Sequence, residues 1–287
     1  MNHVKNRKIT TYQLLSQFFV SSNKETNEML LDSFVEEAMI IDNYSFSDGL
    51  LGAGWLISYL IKHKILVFDV DEILYDVDDL IYKLTIKAVI NSETTIEELL
   101  QLISYYQQRL LNKSKTYNIY RHFALIECLK LLVDKTLSTL SENSLILAPL
   151  AKSRVLLKFS YLVTTCFNEK EIEVPFYNHM EDLIFFYQKM KPDDFNPEDE
   201  ITLCYLQLIS KQYANPYWVN CVTEIIKSIE IQNQVASSLI KVADIYNPNE
   251  DNYVSIELFD FIQKYDVIFL LANNLKSLTF KQTELLI

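Results

Sequence analysis

Ser45-Phe46-Ser47-Asp48-Gly49-Leu50-Leu51-Gly52-Ala53-Gly54-Trp55-Leu56-Ile57-Ser58-Tyr59-Leu60-Ile61 is the stretch on which the reading of this chain turns. It holds Gly49, Gly52 and Gly54, the only three glycines in 287 residues, where ordinary usage would give about 20. No second glycine-rich phosphate cradle can exist, and turns that need positive φ must fall to Asn and Asp elsewhere. Asn-Gly is absent and Asp48-Gly49 is the only Asp-Gly, which argues against a fold built from tight β-hairpins. Asp48 or Ser47 is placed to cap a helix that begins among the glycines. Three glycines at one helix entry read as packing too close for a Cβ, with Trp55 set against the adjoining hairpin. The rival reading is an anion site at the helix N-terminus. Against it, Gly49-x-x-Gly52-x-Gly54 is not the dinucleotide order, Val35 to Ile41 ahead of it reads as helix rather than strand, and no P-loop Lys-Ser/Thr follows.

Outward from this stretch, apolar residues recur at three- and four-residue spacings along nearly the whole chain. Leu30, Leu31, Phe34, Val35, Ala38 and Met39 make one face; Ile73, Leu74, Val77, Leu80, Ile81 and Leu84 make another. Ile96, Leu99, Leu100, Ile103 and Tyr106 make a third, opened by the capping box Thr95-x-x-Glu98. Asn196-Pro197 and Asn215-Pro216 set a cap before a proline at the first helical position, and Val174-Pro175 is a weaker case of the same signal. The pattern predicts about a dozen helices, near 9–21, 26–41, 49–63, 70–88, 95–112, 118–140, 147–167, 175–190, 197–213, 216–231, 234–246 and 254–274, the last with a break. Short polar connections predict antiparallel hairpins, and no Pro- or Ser-rich linker divides the chain, so one domain over 1–287 is expected.

Helices 49–63, 147–167 and 197–213 have few charges in their middles, whereas 70–88 and 95–112 bear a polar or charged stripe. Alternation of buried and half-exposed helices suits hairpins arranged around a closed core; it also suits an open superhelix, although no constant repeat is present.

Hydrophobic residues make up 49% and charged residues 22%, which excludes wholesale disorder. The 26 basic against 38 acidic residues give a net charge of −12, a surface that repels a phosphate backbone. Nucleic acid is therefore not an expected partner, and a basic partner or peptide is suited. The basic start, Met1 to Lys8, is followed by Ile9 to Asn23, which is broken by Thr, Gln and Ser and reads as an amphipathic helix rather than a signal peptide. No run approaches the roughly 20 apolar residues of a membrane span, so a cytoplasmic protein is expected. Cys128, Cys166, Cys204 and Cys221 lie far apart in apolar segments with no CxxC pair, and read as buried free thiols.

Asn43-Tyr44-Ser45-Phe46, then Gly49-Leu50-Leu51-Gly52-Ala53-Gly54-Trp55, then a helix to Lys64 and the acidic start Asp69-Val70-Asp71-Glu72-Ile73-Leu74 together resemble lanthionine synthetase C-like proteins, specifically over residues 40–80. The resemblance implies an all-α fold, an α/α toroid of inner and outer helices. It makes Gly49, Gly52, Gly54 and Trp55 the first inner-helix turn, while Leu147–Phe167, Glu198–Tyr213 and Gln234–Tyr246 would be later inner helices without their glycines. Active members of the family hold zinc with two cysteines and a histidine, and add cysteine thiolates to dehydrated Ser or Thr. The family's Cys-His-Gly and Trp-Cys sequences are missing here, and none of His3, His63, His122 and His179 adjoins a cysteine. No catalytic, cofactor or metal residue is thus singled out, and zinc is disfavoured.

Two acidic clusters lack calcium-loop or DDxxD spacing: Asp69, Asp71, Glu72, Asp76, Asp78 and Asp79, and the run 191–200. Both read as solvated helix starts. His63 reads as a favourable charge at a helix C-terminus, and Trp218 as half-exposed. The expectation is a catalytically inactive lanthionine synthetase C-like protein that binds a peptide or a peptide-modifying enzyme in ribosomal peptide maturation. A divergent lanthionine cyclase-type enzyme and a helical-repeat interaction adaptor are the alternatives.

Overall fold

A computed structural model describes residues 9–20, 23–40, 43–112, 118–142, 148–165 and 170–245. Within them the protein is all-α, with twelve helices and no strand. These are α1 (Thr11–Val20), α2 (Lys24–Ile40), α3 (Leu50–Lys62), α4 (Val70–Ile73), α5 (Tyr75–Ile90), α6 (Ile96–Leu110), α7 (Ile119–Glu142), α8 (Pro149–Thr165), α9 (Lys170–Gln188), α10 (Pro197–Gln212), α11 (Pro216–Ser228) and α12 (Gln234–Ile245). A single 3₁₀ turn, Pro192–Asp194, precedes α10. No described helix is long and apolar enough to cross a membrane. The helix expected over 254–274 lies outside the described residues.

The described residues fall into two compact units, one within 9–94 and 101–129, the other within 95–100 and 130–245. In the first, α3 is the central helix, with α1, α2, α4 and α5 against it. Every residue from Leu50 to Leu60 is buried, which the near absence of charge in that segment anticipates. In the second, α10 is central, flanked by α8, α11 and α12, while α9 packs on α8 and α11.

Helix starts follow their signals at three places. Thr95 and Glu98 form the expected box, Thr95 N–H donating to Glu98 Oε2 at 2.7 Å and Glu98 N–H to Thr95 Oγ1 at 3.2 Å. Asn196 caps α10 and Asn215 caps α11, each followed by Pro at the first helical position. The structure corrects four local expectations. Pro175 does not open a helix but lies inside α9; buried Ile172 and Glu173, which accepts from the Tyr213 hydroxyl at 2.6 Å, anchor the turn before it. The helix expected over 70–88 is broken at Leu74, whose buried side chain and backbone at φ −95°, ψ 15° end α4 and start α5. Neither Asp48 nor Ser47 caps α3: its N-cap is Gly49, because the Asp48 carboxylate turns back to the Ser45 hydroxyl.

The fourth concerns positive φ. None of the glycines has it; Lys64 and Ala214 do, at 59° and 54°. Each ends a helix with a paired bond set. Lys64 N–H reaches Ile61 O at 3.0 Å and Ile65 N–H reaches Leu60 O at 2.9 Å. Ala214 N–H reaches Lys211 O at 3.1 Å and Asn215 N–H reaches Ser210 O at 3.2 Å. That is the Schellman arrangement, which satisfies the last carbonyls of α3 and α10.

Candidate functional site

The glycine motif is a packing device. A Cβ on Gly49 would stand 2.5 Å from Asn43 O, and one on Gly52 would collide with Phe46 O and Thr11 Oγ1. The loop 43–47 is thereby pressed onto the helix entry and takes its N–H groups: Leu50 N–H donates to Asn43 O at 2.7 Å and Gly52 N–H to Ser45 O at 3.4 Å. Two of the donors that an anion would need are thus bonded to the chain itself. Trp55 is wholly buried, stacked on Tyr59 at 5.2 Å and tilted against Phe46 at 5.5 Å.

Gly54 ties this motif to a charged cluster. Its missing Cβ makes room for the Tyr105 ring, whose Cε2 would lie 2.7 Å from it. The Tyr105 hydroxyl donates to Asp78 Oδ1 at 2.6 Å. Arg109, one helical turn on, grips the same carboxylate with Nε to Oδ1 at 2.9 Å and Nη2 to Oδ2 at 2.8 Å. Nη2 also reaches Asp71 Oδ1 at 2.9 Å. Arg121 on α7 completes the cluster, Nη1 donating to Asp78 Oδ2 and to the Asp71 carbonyl, each at 3.1 Å. Its guanidinium lies 4.2 Å over the Tyr75 ring. Two arginines thus meet two aspartates, and the sum of charge is zero. Burial works against the Arg109 cation, but its bonds to Asp78 outweigh that and raise its pKa. Burial first, and then the Asp78 charge, holds the Tyr105 phenol well above its ordinary range.

The solvated-face reading of the first acidic cluster therefore fails in part. Asp78 is buried and Asp71 is paired, because Arg109 is brought to them on α6. The expected half-exposed stripe of α6 holds only in its first half, at Glu97, Glu98 and Gln101; Ser104, Gln107, Gln108 and Arg109 are all buried. Asp69 does cap α4, accepting from Asp71 N–H at 2.9 Å.

Beside this cluster runs a groove of about 250 Å³ between α5 and α7. Asp78, Asp79 and Tyr82 form one wall, Arg121, Leu125 and Cys128 the other, and Tyr106 of α6 also lines it. Asp78 and Asp79 lie four and three residues before Tyr82, and Arg121, Leu125 and Cys128 follow one another at four and three, which puts these side chains on one face of each helix. The Thr85 hydroxyl donates to Ile81 O at 2.9 Å, which leaves Tyr106 as donor in their 2.8 Å contact. Burial, and then the neighbouring Cys128 thiol, raises the Tyr106 pKa. Burial likewise raises that of Cys128. This groove was not singled out in the sequence; the four-residue intervals Asp78 to Tyr82 on α5 and Arg121 to Leu125 on α7 were the available signal.

No protein-family model, curated protein or solved structure matches the chain.

The second unit treats its polar groups differently. Asp199 accepts from Tyr187 Oη at 2.9 Å and from Asn196 N–H at 3.0 Å. Glu200 Oε2 accepts from the N–H groups of Gln232 and Asn233, at 3.1 and 2.7 Å, ahead of α12. Both carboxylates are buried, so the 191–200 run is not simply a solvated helix start. Trp218 is fully buried rather than half-exposed, since Phe176, Tyr177 and Tyr213 enclose it and its indole N–H meets Glu181. His63 is the C-cap of α3, and burial, then Lys62, lowers its pKa, which works against the favourable charge expected there.

The described residues do not fit the zinc centre that the family resemblance implies. Cys128, Cys204 and Cys221 are free and buried. Cys204 donates to Glu200 O at 3.1 Å, and burial pushes its thiol up to about 12, the opposite of what a thiolate ligand needs. Among the described residues no three His, Cys, Asp or Glu side chains converge as a metal ion requires. Cys166 and His3 lie outside the described residues.

Proposed function

We propose that the protein is a non-catalytic accessory that binds a peptide, or a peptide-modifying enzyme, during maturation of a ribosomal peptide. In this reading it acts in the cytoplasm on a scaffold derived from the lanthionine synthetase C-like α/α toroid. The observation that carries it is the α5–α7 groove. Its central charges, Asp78 and Arg121, are engaged with Arg109, Asp71 and Tyr75, and its one thiol is made less acidic by burial. Nucleophilic addition by a cysteine needs a lowered thiol pKa and a positioned acid. A preformed, mostly apolar recess beside a rigid ion cluster suits recognition instead. The missing Cys-His-Gly sequence points the same way.

The test uses the full chain with added zinc and a peptide that contains a cysteine and dehydrated Ser or Thr. Cyclisation consumes a free thiol without changing mass, so alkylation followed by mass spectrometry reads it out. Binding of the peptide with its thiol still alkylatable is the expected result. Thiol loss with one equivalent of cysteine-bound zinc would establish an active cyclase and overturn the proposal.

A further inference from the structure

We propose that the α5–α7 groove receives one apolar or aromatic side chain of a basic peptide, with the Lys or Arg neighbours of that side chain held at the acidic α5 rim. The inference rests on the peptide-binding reading above and names the class of peptide.

Size decides the first point. At about 250 Å³ the groove is below the 300–1,000 Å³ usual for small-molecule and cofactor sites. It has room for a large side chain and not for a nucleotide or a folded helix. Its walls offer Tyr82, Ala124 and Leu125 to an apolar guest. On α5 the groove face continues into a further aromatic, because Tyr75 lies three and four residues before Asp78 and Asp79; Tyr75 and Tyr82 are about half exposed. Exposed aromatic side chains beside an apolar recess suit an interaction site.

Charge decides the second. Asp71 and Asp78 are neutralised by Arg109 and Arg121, so the buried cluster offers a partner no net charge. Asp79 lines the groove; Asp76, three residues before it on α5, and Glu72 on α4 are also exposed. The exposed cations of α5 are Lys83 and, one turn further on, Lys87, against the three carboxylates Glu72, Asp76 and Asp79, which leaves the rim net negative. The chain as a whole carries −12. A cationic segment is attracted on approach and at the rim, while an acidic one is repelled. Arg121 does not reverse this, because its Nη1 is directed into Asp78 and the Asp71 carbonyl.

The experiment measures fluorescence anisotropy of three labelled peptides with the full chain: alternating Lys and Phe, its Glu-for-Lys counterpart, and an all-Lys control. Only the Lys-Phe peptide should bind tightly. Its affinity should fall about fivefold between 50 and 300 mM salt, and about tenfold in Asp79→Lys. Ala124→Trp, a change at an exposed helix position, should fill the groove and abolish binding while leaving the circular dichroism unaltered. If Lys-Phe binding is untouched by both variants, the groove is the wrong site, although the protein still binds peptides. Equal binding of the Glu or the all-Lys peptide would overturn the chemical class. Failure of every peptide would overturn both this inference and the peptide-binding reading.

Discussion

The two units bury charge in opposite ways. The first gathers two arginines and two aspartates around Tyr105 into a single shared cluster, with Asp78 bonded to three side chains at once. The second places its buried carboxylates one at a time on backbone or single-hydroxyl donors: Asp199 on Asn196 and Tyr187, Glu200 on the start of α12. A shared cluster is cooperative, so removing one member leaves several others uncompensated. A distributed arrangement fails locally and cheaply. The cluster also bonds Asp78 and Arg121, one from each wall of the first unit's groove, to each other.

The sharpest way to break this contrast is Arg109→Met. It leaves Asp78 buried with only Arg121 and Tyr105, and should cost about 3–5 kcal/mol. Urea unfolding gives the size, and hydrogen exchange should show protection lost first in α3, α5 and α6. Adding Asp78→Leu should recover part of the loss, because an apolar pair of similar volume often does as well as an ion pair. A loss under about 1 kcal/mol for the single change would mean that the cluster is not cooperative.

The glycines give the next largest effect, and a ranking. Gly52→Ala drives a methyl into the Phe46 carbonyl, which is backbone and cannot step aside. A loss of about 3 kcal/mol is expected, at the upper end for overpacking. Gly54→Ala meets side chains, Tyr105 Cε2 and Val77 Cγ1 at 2.7 and 3.0 Å. Its cost is offset by about 1 kcal/mol of helix propensity. Thermal melts that place Gly54→Ala at or below Gly52→Ala would contradict the packing account.

Lys158 in α8 tests the distributed side. It is fully buried, and that burial lowers its pKa to about 7 from an ordinary 10.5. Between pH 7 and 9 the unfolded chain holds this proton and the folded chain releases it, so stability rises with pH. The slope from this group is at most about 1.4 kcal/mol per pH unit. Above pH 9 the buried Cys204 thiol opposes it, since the unfolded state then loses a proton that the folded state keeps. Denaturation midpoints should climb from pH 7 to 9 in the wild type and stay flatter in Lys158→Met. Equal slopes in the two proteins would remove Lys158 as the source. Glu200→Gln, which keeps the acceptor but discharges it at the start of α12, should cost only about 1 kcal/mol.

Most of the all-α fold was legible because period and caps are local. The Asn196 and Asn215 caps, the Thr95–Glu98 box and the uncharged run of α3 each specify their helix within a few residues. The glycine motif was legible as close packing for the same reason. The ion cluster was not. Asp78 looks like any helix-start aspartate until Arg109, 31 positions away, meets it. Trp218 and Glu181 show the same limit, with 37 positions between them. A run of acidic residues reports charge density, and only tertiary placement tells which of them face water.

Positive φ carries the comparison to its finest scale, since the two units close their central helices in one way. Lys64 ends α3 and Ala214 ends α10, both in the left-handed region with Schellman bonding. For a residue with a Cβ that region costs about 1–2 kcal/mol. Glycine removes the cost but gives the unfolded chain more freedom, worth about 0.4–1 kcal/mol. Lys64→Gly and Ala214→Gly should therefore each stabilise by about 0.5–1 kcal/mol. Asn tolerates the left-handed region better than Lys does, so Lys64→Asn should fall between wild type and Lys64→Gly. The two sites belong to different units, so the gains should add in the double variant. A gain at Ala214 without one at Lys64 would show that the Lys64 stem contributes packing, through its methylenes, that offsets its backbone strain.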